Sequence, residues 1–331
     1  MSRSGLDGGE NARRINEICL ELRQSLERAV EKNLASGILL SGGLDTSILA
    51  SIASRYVSLR AFTVAFDEAE APDLEYARRV ARHLRLEHDV HLFGRSEALE
   101  AVSEVVNVMR TFDPVEIRND LAIFIALRRV KSNGLTAVMT GDGCDELFAG
   151  YSFFFHYDEG LLRLELEKMW GTMRFSSVLL ARALGVEAKL PYLDPEVQSF
   201  AMNLSPWYLV RSAKGQKWGK WIIRKAFKGI LPNEIVWRVK TPIECGTGTT
   251  MFPRIFDSKI SDEEFNSKKK RYLEMDKVAL RDKEQLFYYE AYRSIVGIPH
   301  AEDPRARICP MCNSNVHEGA SHCRTCGAYP I

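Results

Sequence analysis

No stretch of this chain approaches the roughly 18–20 consecutive apolar residues that a membrane-spanning helix needs. The start, MSRSGLDGGENARR, is polar and glycine-rich, without the apolar core of a secretory leader. These absences leave no candidate for a membrane role. They give the expectation of a cytoplasmic protein whose residues 1–10 are loose. Net charge is also missing: 45 Lys and Arg face 44 Asp and Glu. No overall field therefore points to nucleic acid or to an acidic membrane. Internal repeats and low-complexity tracts are absent. Cysteine is scarce, yet four of the seven crowd into the last 25 residues. What remains is a 331-residue chain, 46% hydrophobic and 27% charged. That suits a globular protein with a sizeable core and room for two domains.

Periodicity gives the layout. Ile15, Ile18, Leu22, Leu26, Ala29 and Leu34 recur at helical spacing over residues 11–34. GILLS is a short apolar strand, followed by a helix over about 45–56. LRAFTVAF (59–66) and LEHDVHLF (86–93) read as strands, separated by the helical PDLEYARRVARHL with proline at its start. Helical patterns cover about 95–110 and 117–133, and LTAVMT (135–140) is a further strand. Strands alternating with helices predict an α/β fold, a doubly wound parallel sheet. Beyond Gly150 the pattern is mainly helical to about 298. HAEDPRAR reads as a polar linker (299–307), and the cysteine-rich tail (308–331) follows.

Ligands on such sheets sit beyond the carboxyl ends of the strands. Two loops lie there, SGGLDTS (41–47) and TGDGCDE (140–146). In the first, the glycines free the backbone to point N–H groups outward, hydroxyls add donors, and the helix N-terminus adds partial positive charge. Asp45 opposes phosphate unless it holds Mg²⁺ against it, since magnesium sites take one or two carboxylates plus phosphate oxygens. Asp142, Asp145 and Glu146 of the second loop are each able to complete that site.

SGGLDTS resembles the pyrophosphate loop of the N-type ATP pyrophosphatases. TGDGCDELFAGY (140–151) resembles the S-G-E-G-S-D-E-x-F-G-G-Y stretch of the glutamine-hydrolysing asparagine synthetases. GVEAKLPYLDPEVQSFAM (185–202), KWGKWIIRKAF (217–227) and LPNEIVWRVK (231–240) are similar to later motifs of the same synthetase domain, in the same order. The resemblance covers residues 11–298. It implies the adenine nucleotide alpha hydrolase-like fold and an ATP-dependent ligase that adenylates a carboxylate, releases pyrophosphate and passes the acyl group to ammonia or an amine. It implies that Ser41, Gly42, Gly43, Asp45, Thr46 and Ser47 bind pyrophosphate and Mg²⁺, with Asp145 as second magnesium ligand. It also implies that Gly141 lies near the nucleotide and that Lys220 meets the charge that develops in acyl transfer.

The chain departs from that pattern in four places. The family's glutaminase begins with a cysteine nucleophile, whereas the first cysteine here, Cys19, falls in a helical pattern. The expectation is a ligase without its own glutaminase, using free ammonia, an amine or a partner amidotransferase. Asp142 replaces the family glutamate, one methylene shorter, which matters if it acts as a base. KTPIECGTG (240–248) replaces K-x-x-F-S-D-G, so aspartate does not carry over as the acceptor. Cys144 and Cys245 both fall in loops expected at the pocket. Small buried side chains are the simpler reading; thiol or iron–sulfur chemistry, as in tRNA-thiolating enzymes, is the sharper one.

Residues 211–240 hold nine Lys or Arg and one acid, Glu234, with Trp218, Trp221 and Trp237 interleaved. Lys217, Lys220 and Arg224 are spaced to share one helix face toward ATP. The other basic residues are expected to be solvated, and an RNA surface is the weaker alternative. A tRNA-modifying enzyme using the same adenylation is accordingly the competing function. A nucleotide-binding subunit of an amidotransferase complex is the third.

In the tail, Cys309 and Cys312 precede Cys323 and Cys326 as two C-x-x-C pairs. Four thiolates on two knuckles predict a closed structural Zn²⁺ site, a zinc ribbon. A segment this short has too little core to fold without such a staple. Its expected role is as a folded cap or a docking module for a protein partner.

Overall fold

The computed structural model describes residues 8–213 and 215–331. Of the ten residues expected to be loose, 1–7 lie outside the described residues, as does Lys214 of the basic segment. Gly8–Glu10 form the first turn of α1 (Gly8–Lys32). The α/β part then runs β1 (Gly37–Leu39), α2 (Leu44–Ala53), β2 (Arg60–Phe66), α3 (Pro72–Leu84), β3 (Glu87–Phe93), α4 (Arg95–Met109), α5 (Pro114–Ser132), β4 (Ala137–Met139) and α6 (Cys144–Leu147). Next come α7 (Glu159–Trp170), α8 (Ser176–Ala183), β5 (Glu187–Lys189), α9 (Pro195–Asn203), β6 (Arg211–Ala213), β7 (Gln216–Trp218) and α10 (Trp221–Phe227). The last helices are α11 (Asn233–Val236), α12 (Ile243–Thr247), α13 (Phe252–Lys259), α14 (Asp262–Met275) and α15 (Lys283–Ile295).

Five strands form one parallel sheet in the order β3-β2-β1-β4-β5. The chain winds outward from β1 to β3, then returns to lay β4 on the other side of β1. The strand order therefore reverses between β1 and β4, the place where a doubly wound sheet opens a crevice. β2 is buried at every position after Arg60, as expected for a central strand covered on both faces. One apolar cluster joins α1, α2, α9 and α10 on one side; the other joins α4, α5, α8, α13 and α15.

Local chemistry explains the helix starts. Pro72 opens α3, and Asp73 and Glu75 put negative charge in its first turn. Asp113 caps α5 by accepting from the Val115 amide at 3.1 Å, with Pro114 at the first helical position.

Three details go beyond the sequence reading or differ from it. The mainly helical half also contributes a fifth parallel strand, β5, which pairs with β4 from Ala137–Glu187 to Met139–Lys189. Its three residues are too few to show a period. The stretch 217–227 is not one helix: β6 and β7 form an antiparallel hairpin, and α10 begins only at Trp221. The shared helix face proposed for Lys217, Lys220 and Arg224 therefore does not exist. Lys220 sits in the left-handed region (φ 53°) as the residue before α10. Finally, the cysteine-rich tail, read as a zinc ribbon after a polar linker, packs on the rest of the chain. Its four cysteines, Val316 and Ala328 belong to the same apolar cluster as Phe112, Tyr289 and Tyr292. Among the described residues, no helix is long and apolar enough to cross a membrane.

Candidate active site

The glycine loop leaves β1 and turns into α2. Gly42 has φ +67°, and a Cβ there would run into the backbone of Tyr76 and Ala77 at the start of α3. The turn thus needs glycine for both conformation and space. Several hydroxyls are spent inside the loop. Ser41 Oγ accepts from the Gly43 amide at 3.2 Å and lies 3.3 Å from Thr46 Oγ1. Ser47 is fully buried and donates to the Gly43 carbonyl at 2.6 Å, so it shapes the turn. Ser41, Asp45 and Thr46 line the cleft; Ser47 does not.

The second loop leaves β4 beside the first. A Cβ on Gly141 would lie 3.0 Å from Thr46 Cγ2 and 3.2 Å from Asp45 Cβ. Glycine at 141 lets the two acidic loops touch. Gly150 does the same behind them, where a Cβ would strike Asp145 and Lys220.

Lys220 is the pivot. It is 4% exposed, and its ammonium lies 2.6 Å from Asp45 Oδ2 and 2.6 Å from Asp145 Oδ1. Lys240 approaches the other Asp145 oxygen at 2.8 Å. Burial works against the charges on Asp145, Lys220 and Lys240, and attraction to their partners overrides it. The Asp145 carboxyl is held well below the ordinary carboxylate range by Lys220 and Lys240. Burial likewise disfavours the Lys220 ammonium, but Asp145 and Asp45 hold its pKa well above the ordinary lysine value. Asp45 Oδ1 has no hydrogen-bond partner although it is shielded from solvent. Two facing carboxylates, one with an unsatisfied buried oxygen, are a donor set that suits magnesium. Here a lysine ammonium supplies the cationic charge between them.

Asp142 faces the same cleft. Its Oδ2 accepts from Thr140 Oγ1 at 2.8 Å and from the Ser177 hydroxyl. Burial pushes its carboxyl up, and those two donors only partly offset this. Glu146 accepts from the Tyr151 hydroxyl at 2.6 Å. One wall of the cleft is apolar, from Leu39, Phe62, Val64, Ala122, Ile123 and Ala126. The cleft is therefore lined by both apolar and charged side chains.

The remaining expected residues are elsewhere. Lys217 lies on the exposed hairpin and donates to the Phe155 carbonyl at 2.6 Å; it does not line the cleft. Arg224 is buried and spent on backbone carbonyls of Gly219 (2.9 Å), Val236 (2.6 Å) and Arg238 (3.0 Å). It pins the chain on both sides of Lys220, and also borders the small recess behind the glycine loop. Cys144 is sealed in the core, where burial and the neighbouring Asp45 push its thiol well above the ordinary value. Cys245 is exposed on α12, and burial of its sulfur and the adjacent Glu244 push its thiol up as well. Neither has the lowered pKa of a reactive cysteine.

Arg238 and Lys240 belong to the basic residues expected to be solvated; Arg238 is instead buried, and Lys240 pairs with Asp145. Arg238 pairs with buried Asp73 and donates to the Ser41 carbonyl at 3.2 Å, tying α3 to the glycine loop. Its guanidinium stacks 4.0 Å from the Tyr76 ring centre. The pairing spans 165 residues, so no local signal shows it.

The tail brings its sulfurs together. Cys309 Sγ lies 3.7 Å from Cys326 Sγ, and Cys312 Sγ lies 3.6 Å from Cys323 Sγ. All four lie within 4.8 Å of one another and are buried. A tetrahedral Zn–S₄ centre with bonds of about 2.3 Å spaces its sulfurs at roughly 3.8 Å.

A parallel α/β domain whose strand ends join a glycine loop to two facing carboxylates is a nucleotide-binding domain of the pyrophosphatase kind. Comparison narrows this. The family model described as asparagine synthase matches residues 20–177 and 164–310. Asparagine synthetase [glutamine-hydrolyzing] 1 of Saccharomyces cerevisiae is 32% identical over 307 residues, covering 76% of this chain and 53% of the relative. Asparagine synthetase B [glutamine-hydrolyzing] of Escherichia coli is 29% identical over 311 residues, covering 86% and 55%. The chain belongs to the asparagine synthase family. It spans about half the length of these curated relatives. A solved NMN synthetase from Francisella tularensis covers 88% of this chain and 98% of its own at 15% identity, with a TM-score of 0.37, too loose a likeness to argue from.

Proposed function

We propose that this chain is an ATP-dependent carbon–nitrogen ligase that works by adenylation. A substrate carboxylate oxygen bonds to the α-phosphorus of ATP as the bond from that phosphorus to the pyrophosphate oxygen breaks. Ammonia or an amine then attacks the acyl carbon. AMP leaves with the electrons of the broken carbon–oxygen bond, and the nitrogen gives up a proton.

The observation that carries this reading is the meeting of Asp45 and Asp145 around one buried lysine, at the mouth of a glycine loop. Asp45 and Asp145 would hold Mg²⁺, which supplies positive charge for the departing pyrophosphate. Ser41 and Thr46, which line the cleft, would cradle the same group on the turn that Gly42 allows. The apolar wall of Leu39, Phe62, Val64 and Ala126 takes the adenine face. Lys220 stands where negative charge builds at the α-phosphate and then on the acyl carbon's oxygen. Asp142, with its raised carboxyl pKa, is placed to take the proton that nitrogen loses. In the tail, the four sulfurs hold structural Zn²⁺.

The test is pyrophosphate release with a panel of amino and dicarboxylic acids, each with and without ammonia and with and without tRNA, alongside metal content. Release that depends on a small carboxylate, with one zinc per chain, is expected. Release seen only with tRNA would move the chain to the RNA-modifying reading.

A further inference from the structure

The tail borders a second cavity, of about 490 Å³. It lies between the cysteine-rich tail and the segment that follows α6, and it shares Glu146 and Tyr151 with the nucleotide cleft. The tail is fastened there through backbone. Thr111 Oγ1 donates to the Arg324 carbonyl at 2.8 Å, and the Phe112 amide donates to the Thr325 carbonyl at 2.8 Å. Gln285 Nε2 donates to the Cys326 carbonyl at 2.7 Å. His322 and Arg324 of the fastened tail line the cavity.

Three arginines line this space: Arg110 from the end of α4, Arg174 from the segment before α8, and Arg324 from the tail. Among the described residues none of the three makes a close ion pair, although Glu116 and Glu146 line the same space and Arg324 attracts the Glu116 carboxyl; Arg324 donates to the Thr172 carbonyl at 3.3 Å. Arg110 takes a left-handed backbone (φ 54°), a conformation non-glycine residues adopt at some cost. The walls between are apolar: Met169, Met173 and Leu179, with Phe153 stacked 5.4 Å from the Tyr151 ring. Phe153 and Leu179 are 48% and 44% exposed. The cavity lies in the size range that holds drug-sized ligands, well beyond the needs of a four-carbon amino acid.

We propose that this second cavity binds the acceptor. The acceptor would be a carboxylic acid with an apolar body and a second anionic group, its far end held by Arg110, Arg174 and the tail's Arg324. Its reacting carboxylate points past Tyr151 into the nucleotide cleft. This rests on the ligase reading and adds the substrate class. Arginine favours carboxylate and phosphate because its planar fork donates two parallel hydrogen bonds. The tail then does more than cap the fold, because it supplies one of the three anchors. An RNA phosphate would also meet arginines. The apolar walls and the junction with the nucleotide cleft at Glu146 and Tyr151 favour a small amphipathic acid.

The test uses the full chain with Mg²⁺, ATP and ammonia, and measures pyrophosphate release along the dicarboxylate series from succinate to sebacate, with aspartate and a tRNA pool in parallel. The longer diacids are expected to give the higher kcat/KM. Arg174→Ala and Arg324→Ala are each expected to raise KM for the diacid about tenfold or more, the loss expected for a hydrogen bond to a charged group. KM for ATP should stay within about twofold. Zinc content shows that Arg324→Ala keeps its tail folded, and Arg174→Ala lies outside the tail. Release from the wild type that neither variant alters, or that is best with aspartate, removes this proposal and leaves the ligase. Release that requires tRNA, or no carboxylate-dependent release at all, removes both.

Discussion

Lys220 is the side chain on which the site turns. It is buried, it starts α10 in a left-handed conformation, and it bonds Asp45 and Asp145 together. Its replacement leaves two facing carboxylates without a common cation. Lys220→Met is expected to cost about 3–5 kcal/mol in the presence of chelator, the usual penalty for orphaning a buried charge. Added Mg²⁺ should restore part of it. Urea titrations with and without Mg²⁺ check this; a loss that magnesium does not touch would argue against a metal site at these carboxylates. Sequence spacing was a mixed guide at this scale. Asp45 and Asp145 were legible because each follows a strand end and a glycine. Lys217 is the residue that helical spacing misplaces, because that spacing runs across the hairpin. Arg238–Asp73 and Lys240–Asp145 were hidden by long separations that no periodicity reports.

At the level of elements, the glycine loop is set by its contact with α3 as much as by its own turn. Gly42→Ala must accept both a strained φ and a clash with the Tyr76–Ala77 backbone. Gly134→Ala, also at positive φ (+77°), has nothing within 4 Å. Gly134→Ala is expected to cost only the conformational term, about 1–2 kcal/mol. Gly42→Ala is expected to cost clearly more and to weaken nucleotide binding. Equal losses in the two variants would show that the packing of α3 does not constrain the loop. The strands and helices up to β4 were legible because apolar runs and proline or aspartate starts mark them. β5 and the β6–β7 hairpin were not, because three-residue strands carry no period. Their pairing is decided by tertiary packing.

Across the whole molecule, the tail and the α/β domain share a core. The four cysteines pack in one apolar cluster with Phe112, Tyr289 and Tyr292, and the ring centres of both tyrosines lie 5.1 Å from that of Phe112. Chelating the zinc is therefore expected to lower the main thermal unfolding transition by several degrees, as a loss of about 1–2 kcal/mol does in a chain of this size. An unmoved main transition would show that the tail folds independently. The metal-binding pattern itself was plain in the sequence. Its docking was not, because the bonds that fasten it run largely through backbone carbonyls, to which any sequence contributes.

The central claim is adenylation of a carboxylate, and the isotope fate of one oxygen tests it most directly. The most active acid of the panel, labelled with oxygen-18 in its carboxylate, is turned over with ATP, Mg²⁺ and ammonia, and the phosphorus-containing products are examined by mass spectrometry. The expected result is one labelled oxygen in AMP, with unlabelled pyrophosphate and the amide formed in equal amounts. Label in orthophosphate, with ADP as the co-product, would contradict it.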